Sequence, residues 1–135
     1  METELVKFWV EDGILMEVIK VPELDLQLAK TLVEERIKAS AGVKMPMLVD
    51  IKSLKYVSKE ARQYFAKHSK SEDVISVAIL ASNPVTLMGA KLYILIEKPI
   101  IKTEVFVNKK KAIQWLKRFG ISESIPHVPT GKPEN

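Results

Sequence analysis

The sequence contains no cysteine, which excludes disulfide bonds, thiolate metal sites and cysteine nucleophiles together. Its two histidines, His68 and His127, have no partners at a metal-binding spacing, so we expect neither a metal ion nor another cofactor. The five glycines are too scattered for a phosphate-binding loop, and no Gly-x-Ser-x-Gly motif occurs. These absences argue against an enzyme.

Long apolar runs are also absent. No segment approaches the ~20 apolar residues of a membrane-spanning helix, and the acidic start Met1–Glu4 is unlike a secretory signal. With the lack of cysteine, this favours a cytoplasmic protein. The 135 residues, of which 47% are hydrophobic, suffice for one core. We predict one domain over residues 1–120, followed by a loose tail over residues 121–135.

Positive charge is concentrated late in the chain. The net charge is +4, and residues 91–118 carry eight basic and two acidic side chains. A helix in this region combines Lys109–Lys111 with Trp115, so an anionic membrane surface is one conceivable partner. A solvated helix face explains the same charges. Nucleic acid is not expected, because aromatic residues do not interleave with the basic ones.

Apolar periodicity predicts alternating strands and helices. Two strands rich in β-branched and aromatic residues, 5–10 and 14–19, flank Asp12-Gly13, which is a strong hairpin signal. Further elements follow in order: a helix from Asp25 to Gly42 with Leu28, Leu32 and Ile37 inward, a strand at 47–51, a helix at 59–70, a strand at 74–81, a helix at 85–97, a strand at 103–107 and a helix ending at Gly120. This is an α/β fold in which a β-hairpin precedes α-β-α-β-α-β-α, with a mixed five-stranded sheet and helices on both faces.

One segment carries a family resemblance. In residues 48–61, LVDIKSLKYVSKEA, a buried strand ends in Asp50, and Ser53 and Leu54 lead on to Ser58 at a helix start. This outline resembles STAS domains, the SpoIIAA-like group that includes anti-sigma-factor antagonists. Residues 8–119 are also similar to an uncharacterised bacterial STAS/SEC14-like group, through short motifs at 9–15, 48–51, 58–62, 82–84 and 112–116. The resemblance implies a SpoIIAA-like fold and a non-catalytic regulatory or protein-interaction module.

The residues around the start of this helix are the first candidate site. In the phosphorylated antagonists an Asp-Ser pair opens the helix, whereas here Lys59 aligns with the phospho-acceptor, so phospho-switching is not carried over. Ser58 is predicted to cap the helix, with modification as the alternative, since a phosphoryl group would meet the helix amino terminus and Lys59. The candidate residues for binding a protein partner here are Asp50, Ser53, Ser58, Lys59 and Arg62.

Asp50 itself has two interpretations. It lies where a strand gives way to a loop, the edge at which open α/β sheets commonly bind ligands. There it could hold a polar ligand group or an arginine of a partner. Alternatively, it accepts hydrogen bonds from the following loop, 52–57, as polar residues at strand ends often do.

The helix at 84–97 is the second candidate site. Val85, Met88, Leu92 and Ile96 form one apolar stripe expected to face the sheet, yet other apolar residues lie off it. The binding candidates on this helix are Leu87, Met88, Lys91, Tyr93 and Ile94. The chain itself, a second copy in a homodimer, or an apolar ligand could cover them. The alternative function is therefore a small carrier of an apolar or lipid-like ligand, associated with a membrane surface.

Overall fold

The chain begins with a β-hairpin. The computed structural model describes residues 1–68 and 74–124, and in it strands β1 (Val6–Glu11) and β2 (Ile14–Ile19) pair antiparallel. Asp12 and Gly13 join them with φ angles of 55° and 76°, the left-handed conformation that a two-residue hairpin turn requires. The hairpin predicted from Asp12-Gly13 is confirmed.

Five strands form the main sheet of the described chain: β1, β2, β4 (Met45–Asp50), β6 (Val74–Leu80) and β7 (Thr103–Phe106). Their order in the sheet is β1-β2-β4-β6-β7. β2 pairs parallel with β4, β4 with β6, and β6 with β7, so β1 is the antiparallel strand at one edge. β6 is buried along nearly all its length, as its continuous apolar sequence predicts.

Helices cover both faces of this sheet. In the described residues, α1 (Leu26–Ala39), α2 (Lys59–His68) and α3 (Pro84–Glu97) lie on one face, and α4 (Lys109–Ser124) lies on the other. Each helix begins where a side-chain oxygen accepts a hydrogen bond from its first turn. The capping residues are Asp25, Ser58, Asn83 and Asn108. The predicted mixed sheet with helices on both faces is confirmed.

The last helix is longer than expected. α4 passes through Gly120 and reaches Ser124, so the predicted end at Gly120 is wrong. A glycine inside a helix costs only about 1 kcal/mol relative to alanine and does not end the helix by itself. Residues 121–124 of the expected tail are therefore helical. The rest of that tail and the expected end of α2 at residue 70 lie outside the described residues.

Two smaller differences concern local packing. Ile37, expected to face inward, is exposed, and the buried residues of α1 are Ala29, Leu32 and Arg36. Two-residue strands, β3 (Glu23–Leu24) and β5 (Tyr56–Val57), pair parallel where a loop was expected after β4. Strands this short are too brief to show a periodicity in sequence.

Candidate functional site: an apolar cavity beneath α3

A large cavity lies between α3 and the sheet face that also carries α1 and α2. Its volume is about 930 Å³, near the upper end of the ~300–1,000 Å³ typical of small-molecule sites. Residues from α1, α2 and the segment 51–57 complete its walls. The side chains that the sheet contributes are mainly apolar, and they include Met47, Val49, Val77 and Ile79. We call this space the α3 cavity.

Small residues on α3 leave this space open. Ala90 is the buried residue of the helix, and Gly89 beside it also lines the cavity. A Cβ atom placed on Gly89 would meet no atom within 4 Å. Neither residue has a bulky side chain, so α3 adds little volume to the space between itself and the sheet at these two positions.

The apolar stripe of α3 does not face the sheet, and the sequence-based orientation of this helix is wrong. Val85 is 79% exposed, and Met88, Leu92 and Ile96 are also exposed. The inward side is formed by the less exposed residues of the cavity wall, which are Thr86, Ala90, Tyr93 and Glu97. Because α3 carries apolar residues all round, its periodicity could not identify the packed face.

The cavity reaches the surface beside α3. Some of its lining residues are exposed, among them Tyr56 of β5 and Val85 and Leu92 of α3. Lys52 and Lys55, in the loop after β4, lie on the same rim and are exposed as well. Apolar side chains and two amines therefore surround the entrance.

A buried charge pair lies inside this apolar surrounding. Glu17 of β2 and Arg36 of α1 are 0% and 5% exposed, and Arg36 Nε donates a hydrogen bond to Glu17 Oε1 at 3.1 Å. In the register of the sheet, Glu17 lies level with Phe8, Val49 and Ile79. Burying two charges costs free energy that their attraction often only balances. Stability alone therefore does not account for this pair.

Further polar side chains lie close to the pair. Burial raises the pKa of Tyr93 strongly, while Arg36 and Glu97 lie near enough to shift that pKa down and up respectively. Arg62 Nε lies 3.6 Å from Glu97 Oε2, and Arg62 Nη1 donates to a backbone carbonyl at 2.7 Å. We name Glu17, Arg36, Arg62, Tyr93 and Glu97 the polar cluster. Its tyrosine stays protonated at neutral pH.

The structure brings two of the sequence-based candidates into this cavity. Arg62 of α2 and Tyr93 of α3 both line it. The remaining candidates on α3 are not part of its lining, and these are Leu87, Met88, Lys91 and Ile94. Of this remainder, Met88 and Lys91 are exposed and the other two are half-buried.

Asp50 lies away from the α3 cavity. Its Oδ1 atom accepts a hydrogen bond from the backbone N–H of Lys52 at 2.9 Å, which is the local role considered for it. It also borders a separate space of about 30 Å³, near Trp9 and Lys109 on the α4 side of the sheet. A space of this size cannot hold an organic ligand, since one water occupies about 30 Å³ of liquid.

Ser58 has the predicted structural role. Its Oγ atom accepts a hydrogen bond from the backbone N–H of Ala61 at 3.1 Å, which caps α2. Lys59 is exposed beside it, and Ser53 is half-buried in the preceding turn. Binding by these residues and modification of Ser58 stay predictions.

The basic stretch of α4 lies on the opposite face of the sheet. Lys109–Lys111 are exposed, and Lys109 Nζ lies 6.0 Å from the centre of the Trp9 ring. Trp115 packs on Phe106, with ring centres 5.6 Å apart. These lysines are therefore separate from the α3 cavity.

Sequence reasoning missed Glu17 and Arg36. Glu17 is the charged residue within 14–19, ILMEVI, a strand that is otherwise apolar on both faces. Arg36 follows Ala29 and Leu32 at helical spacing, on the buried side of α1. Opposite charges at two positions that should be buried are the signal that could have identified the pair.

Two further features bear on the function of the site, namely groups of metal-binding side chains and helices that could span a membrane. Within residues 1–68 and 74–124, no group of three or more His, Asp or Glu side chains could hold a metal ion. No helix in that part of the chain is long and apolar enough to cross a membrane. What the α3 cavity provides is apolar surface with a few hydrogen-bonding groups, an arrangement suited to binding a small molecule.

Several solved structures resemble this chain. One is an uncharacterised protein of the DUF3478 family with a SpoIIAA-like fold, from Shewanella loihica PV-4, with a TM-score of 0.56 and 18% identity over 86% of this chain and 98% of that one. Another is an anti-sigma factor antagonist from Mycobacterium paratuberculosis, with a TM-score of 0.58 and 14% identity over 83% of this chain and 92% of that one. At such identities the likeness shows the fold, and the SpoIIAA-like fold implied by the sequence is confirmed.

The family comparison covers most of the chain. No curated protein matches the sequence. Residues 8–120, however, match a domain of unknown function, DUF7793. The chain therefore belongs to the DUF7793 family, and its fold is SpoIIAA-like.

Proposed function

We propose that this chain is a non-catalytic carrier that binds one molecule with an apolar chain in the α3 cavity. The observation that supports the proposal is the cavity itself, with its volume of about 930 Å³ and its mainly apolar lining. The sequence favoured a protein-interaction module and kept a carrier as the alternative. The cavity reverses that preference.

The energetics of such binding are favourable. Removing an apolar group from water contributes about 0.8 kcal/mol per methylene, so a chain of about ten methylenes contributes about 8 kcal/mol. The loss of translational and conformational freedom on binding offsets part of this gain. Leu24, Leu32 and Phe65 line the cavity together with the apolar residues of the sheet, and they would contact such a chain.

Native mass spectrometry of freshly purified protein tests the proposal. We expect an additional mass that is lost on denaturation, and a lipid-like molecule in a solvent extract of the same sample. Protein without an adduct in every preparation, and without uptake of added decane or methyl decanoate, would contradict a carrier function.

Two matched variants on α3 test the location of the ligand. Gly89→Phe adds a ring where the cavity is open, so it should displace the bound molecule. Met88→Phe adds a bulky side chain to the next position along the helix, which does not line the cavity, and should leave binding unchanged. Circular dichroism verifies that both variants fold. Equal ligand binding by Gly89→Phe and Met88→Phe would show that the ligand lies outside the α3 cavity.

A protein contact through α3 is the second candidate function. Val85, Met88 and Leu95 are large apolar side chains that are exposed on this helix, and such exposed patches commonly mark association sites. We propose a homodimer as the form that this contact takes. Sedimentation velocity should then show a dimer that Leu95→Glu converts to a monomer. A monomeric wild-type chain at high concentration would exclude it.

A partner at the surface of Asp50–Arg62 is the remaining proposal, and it has its own test. Affinity capture with the wild type and with an Asp50→Ala, Lys59→Ala double variant should recover proteins that the variant loses. Recovery of the same proteins by both would show that this surface is not the binding site.

A further inference from the structure

Arg36 holds hydrogen-bond donors that the described protein does not use. The residue is 5% exposed, and its Nε atom donates to Glu17. None of the described residues accepts a hydrogen bond from its two terminal nitrogens, Nη1 and Nη2. These atoms are not among the described polar atoms that are both fully buried and without a hydrogen bond, and Arg36 lines the α3 cavity. They therefore keep some accessible surface, on a side chain that lines the α3 cavity.

The remainder of the polar cluster adds another donor. The Tyr93 hydroxyl is protonated at neutral pH, as tyrosine ordinarily is, and burial raises its pKa further, so it can donate a hydrogen bond. Arg62 is engaged differently, since its Nη1 atom donates to a backbone carbonyl and its Nε atom faces Glu97. Arg36 and Tyr93 thus offer hydrogen-bond donors at this point of the cavity, and a ligand group that accepts hydrogen bonds would complement them.

Charge balance limits what that acceptor can be. Glu17 already pairs with Arg36, and Glu97 pairs with Arg62, so the four ionisable groups carry no net charge together. A carboxylate ligand would add a further negative charge close to Glu17 in a mainly apolar space. Such a charge is costly without a partner of its own, whereas a neutral carbonyl oxygen needs only hydrogen bonds.

We propose that the ligand is an uncharged amphiphile whose apolar chain occupies the α3 cavity and whose ester or amide carbonyl oxygen accepts hydrogen bonds from Arg36 Nη1 and Nη2. This assignment rests on the proposed carrier function and specifies its ligand class. Arg36 is then the residue that recognises the polar end of the ligand, and Glu17 orients Arg36 through its Nε atom.

The test compares three probes of equal chain length. The purified full chain is first loaded with the neutral fluorophore phenylnaphthylamine, which is then displaced by methyl decanoate, by decanoate or by decane. We expect methyl decanoate to bind about tenfold more tightly than either of the others, because hydrogen bonds to a charged donor have that magnitude. Lys52 and Lys55 on the rim favour an anion, so decanoate is the competing outcome that the assay distinguishes.

Two variants assign that preference to Arg36. A Glu17→Met, Arg36→Met double variant removes the charges together and should bind methyl decanoate no better than decane. Arg36→Lys keeps the charge pair but lacks the two terminal nitrogens of arginine, and it should lose most of the preference. The Arg36→Lys variant tests the same preference for methyl decanoate if the double variant does not fold. Lys30→Met, at an exposed position of α1 outside the cavity lining, is the control and should retain the preference.

The possible failures are distinguishable. Tighter binding of decanoate than of methyl decanoate would overturn the uncharged ligand and would leave the carrier function intact. Equal binding of all three probes, or a preference that persists in both Arg36 variants, would overturn the role of Arg36. If the wild type bound neither the fluorophore nor any of the probes, the carrier function itself would be wrong.

Discussion

The two faces of the sheet are covered in contrasting ways. On one face, α4 places Ala112 and Leu116, both fully buried, against Met16 and Leu48 of the sheet. On the other face, α3 contributes Ala90 to the core and leaves a cavity of about 930 Å³ beneath it. α4 packs directly on its face of the sheet, whereas α3 leaves a cavity between itself and part of the other face.

This contrast separates stability from binding within one small domain. A tightly packed face tolerates little change in volume, because every side chain has neighbours on all sides. An open face contributes less to folding, yet it provides the apolar volume that a ligand needs. The effects of substitutions on the free energy of unfolding should therefore differ between the two faces in size and even in sign.

The largest effect is expected at the buried charge pair. Arg36→Met leaves Glu17 buried without its cation, which should lower the free energy of unfolding by about 3–5 kcal/mol. Adding Glu17→Met should restore most of that loss, because two apolar side chains can replace a buried ion pair at little cost. Urea denaturation measures both variants. A loss below about 1 kcal/mol in the single variant would mean that the pair is not structurally important.

Leucine truncations test the contrast between the faces directly. Leu116→Ala, under α4, should destabilise the protein by about 2–5 kcal/mol, since it leaves a void in a packed core. Leu92→Ala, on the exposed rim of the α3 cavity, should change stability by no more than about 0.5 kcal/mol. Similar losses in both variants, measured by urea denaturation, would contradict the difference in packing.

Local signals predicted most of this fold. The hairpin followed from Asp12-Gly13, and the start of α3 followed from Asn83-Pro84, because turn and cap residues act within a few positions of themselves. The continuous apolar sequence of β6 identified a strand buried on both faces. The order of elements then left few topologies to consider.

The site depended on contacts between distant elements and was harder to predict. The packed face of α3 could not be chosen, since apolar residues surround that helix. Glu17 and Arg36 are 19 residues apart, and their pairing requires α1 to lie across β2. The cavity results from how α3, α2 and the sheet pack together, so no single segment encodes it. Only Arg62 and Tyr93 were identified in advance.

Tyr93 provides a pH-dependent test of the open face. Burial raises the pKa of Tyr93 in the folded protein, so above about pH 10 the unfolded chain loses this proton before the folded chain does. The stability of the wild type should then fall by about 1.4 kcal/mol per pH unit relative to Tyr93→Phe. Below about pH 9 the difference in the free energy of unfolding between the wild type and Tyr93→Phe should be constant. Parallel pH profiles throughout would show that this hydroxyl is not buried.

The smallest expected effects come from enlarging a small side chain on each helix. The change in the free energy of unfolding should have opposite signs on the two faces. Gly89→Ala should raise the free energy of unfolding by up to about 1 kcal/mol, because alanine favours a helix more than glycine does and its Cβ atom meets nothing within 4 Å. Ala112→Val adds carbon atoms to a fully buried position under α4, where overpacking should cost about 1–3 kcal/mol. Thermal and urea unfolding of the two variants measure the signs. Stabilisation by both would mean that α4 also leaves space beneath it, and destabilisation by both would mean that α3 packs more closely on the sheet than the α3 cavity implies.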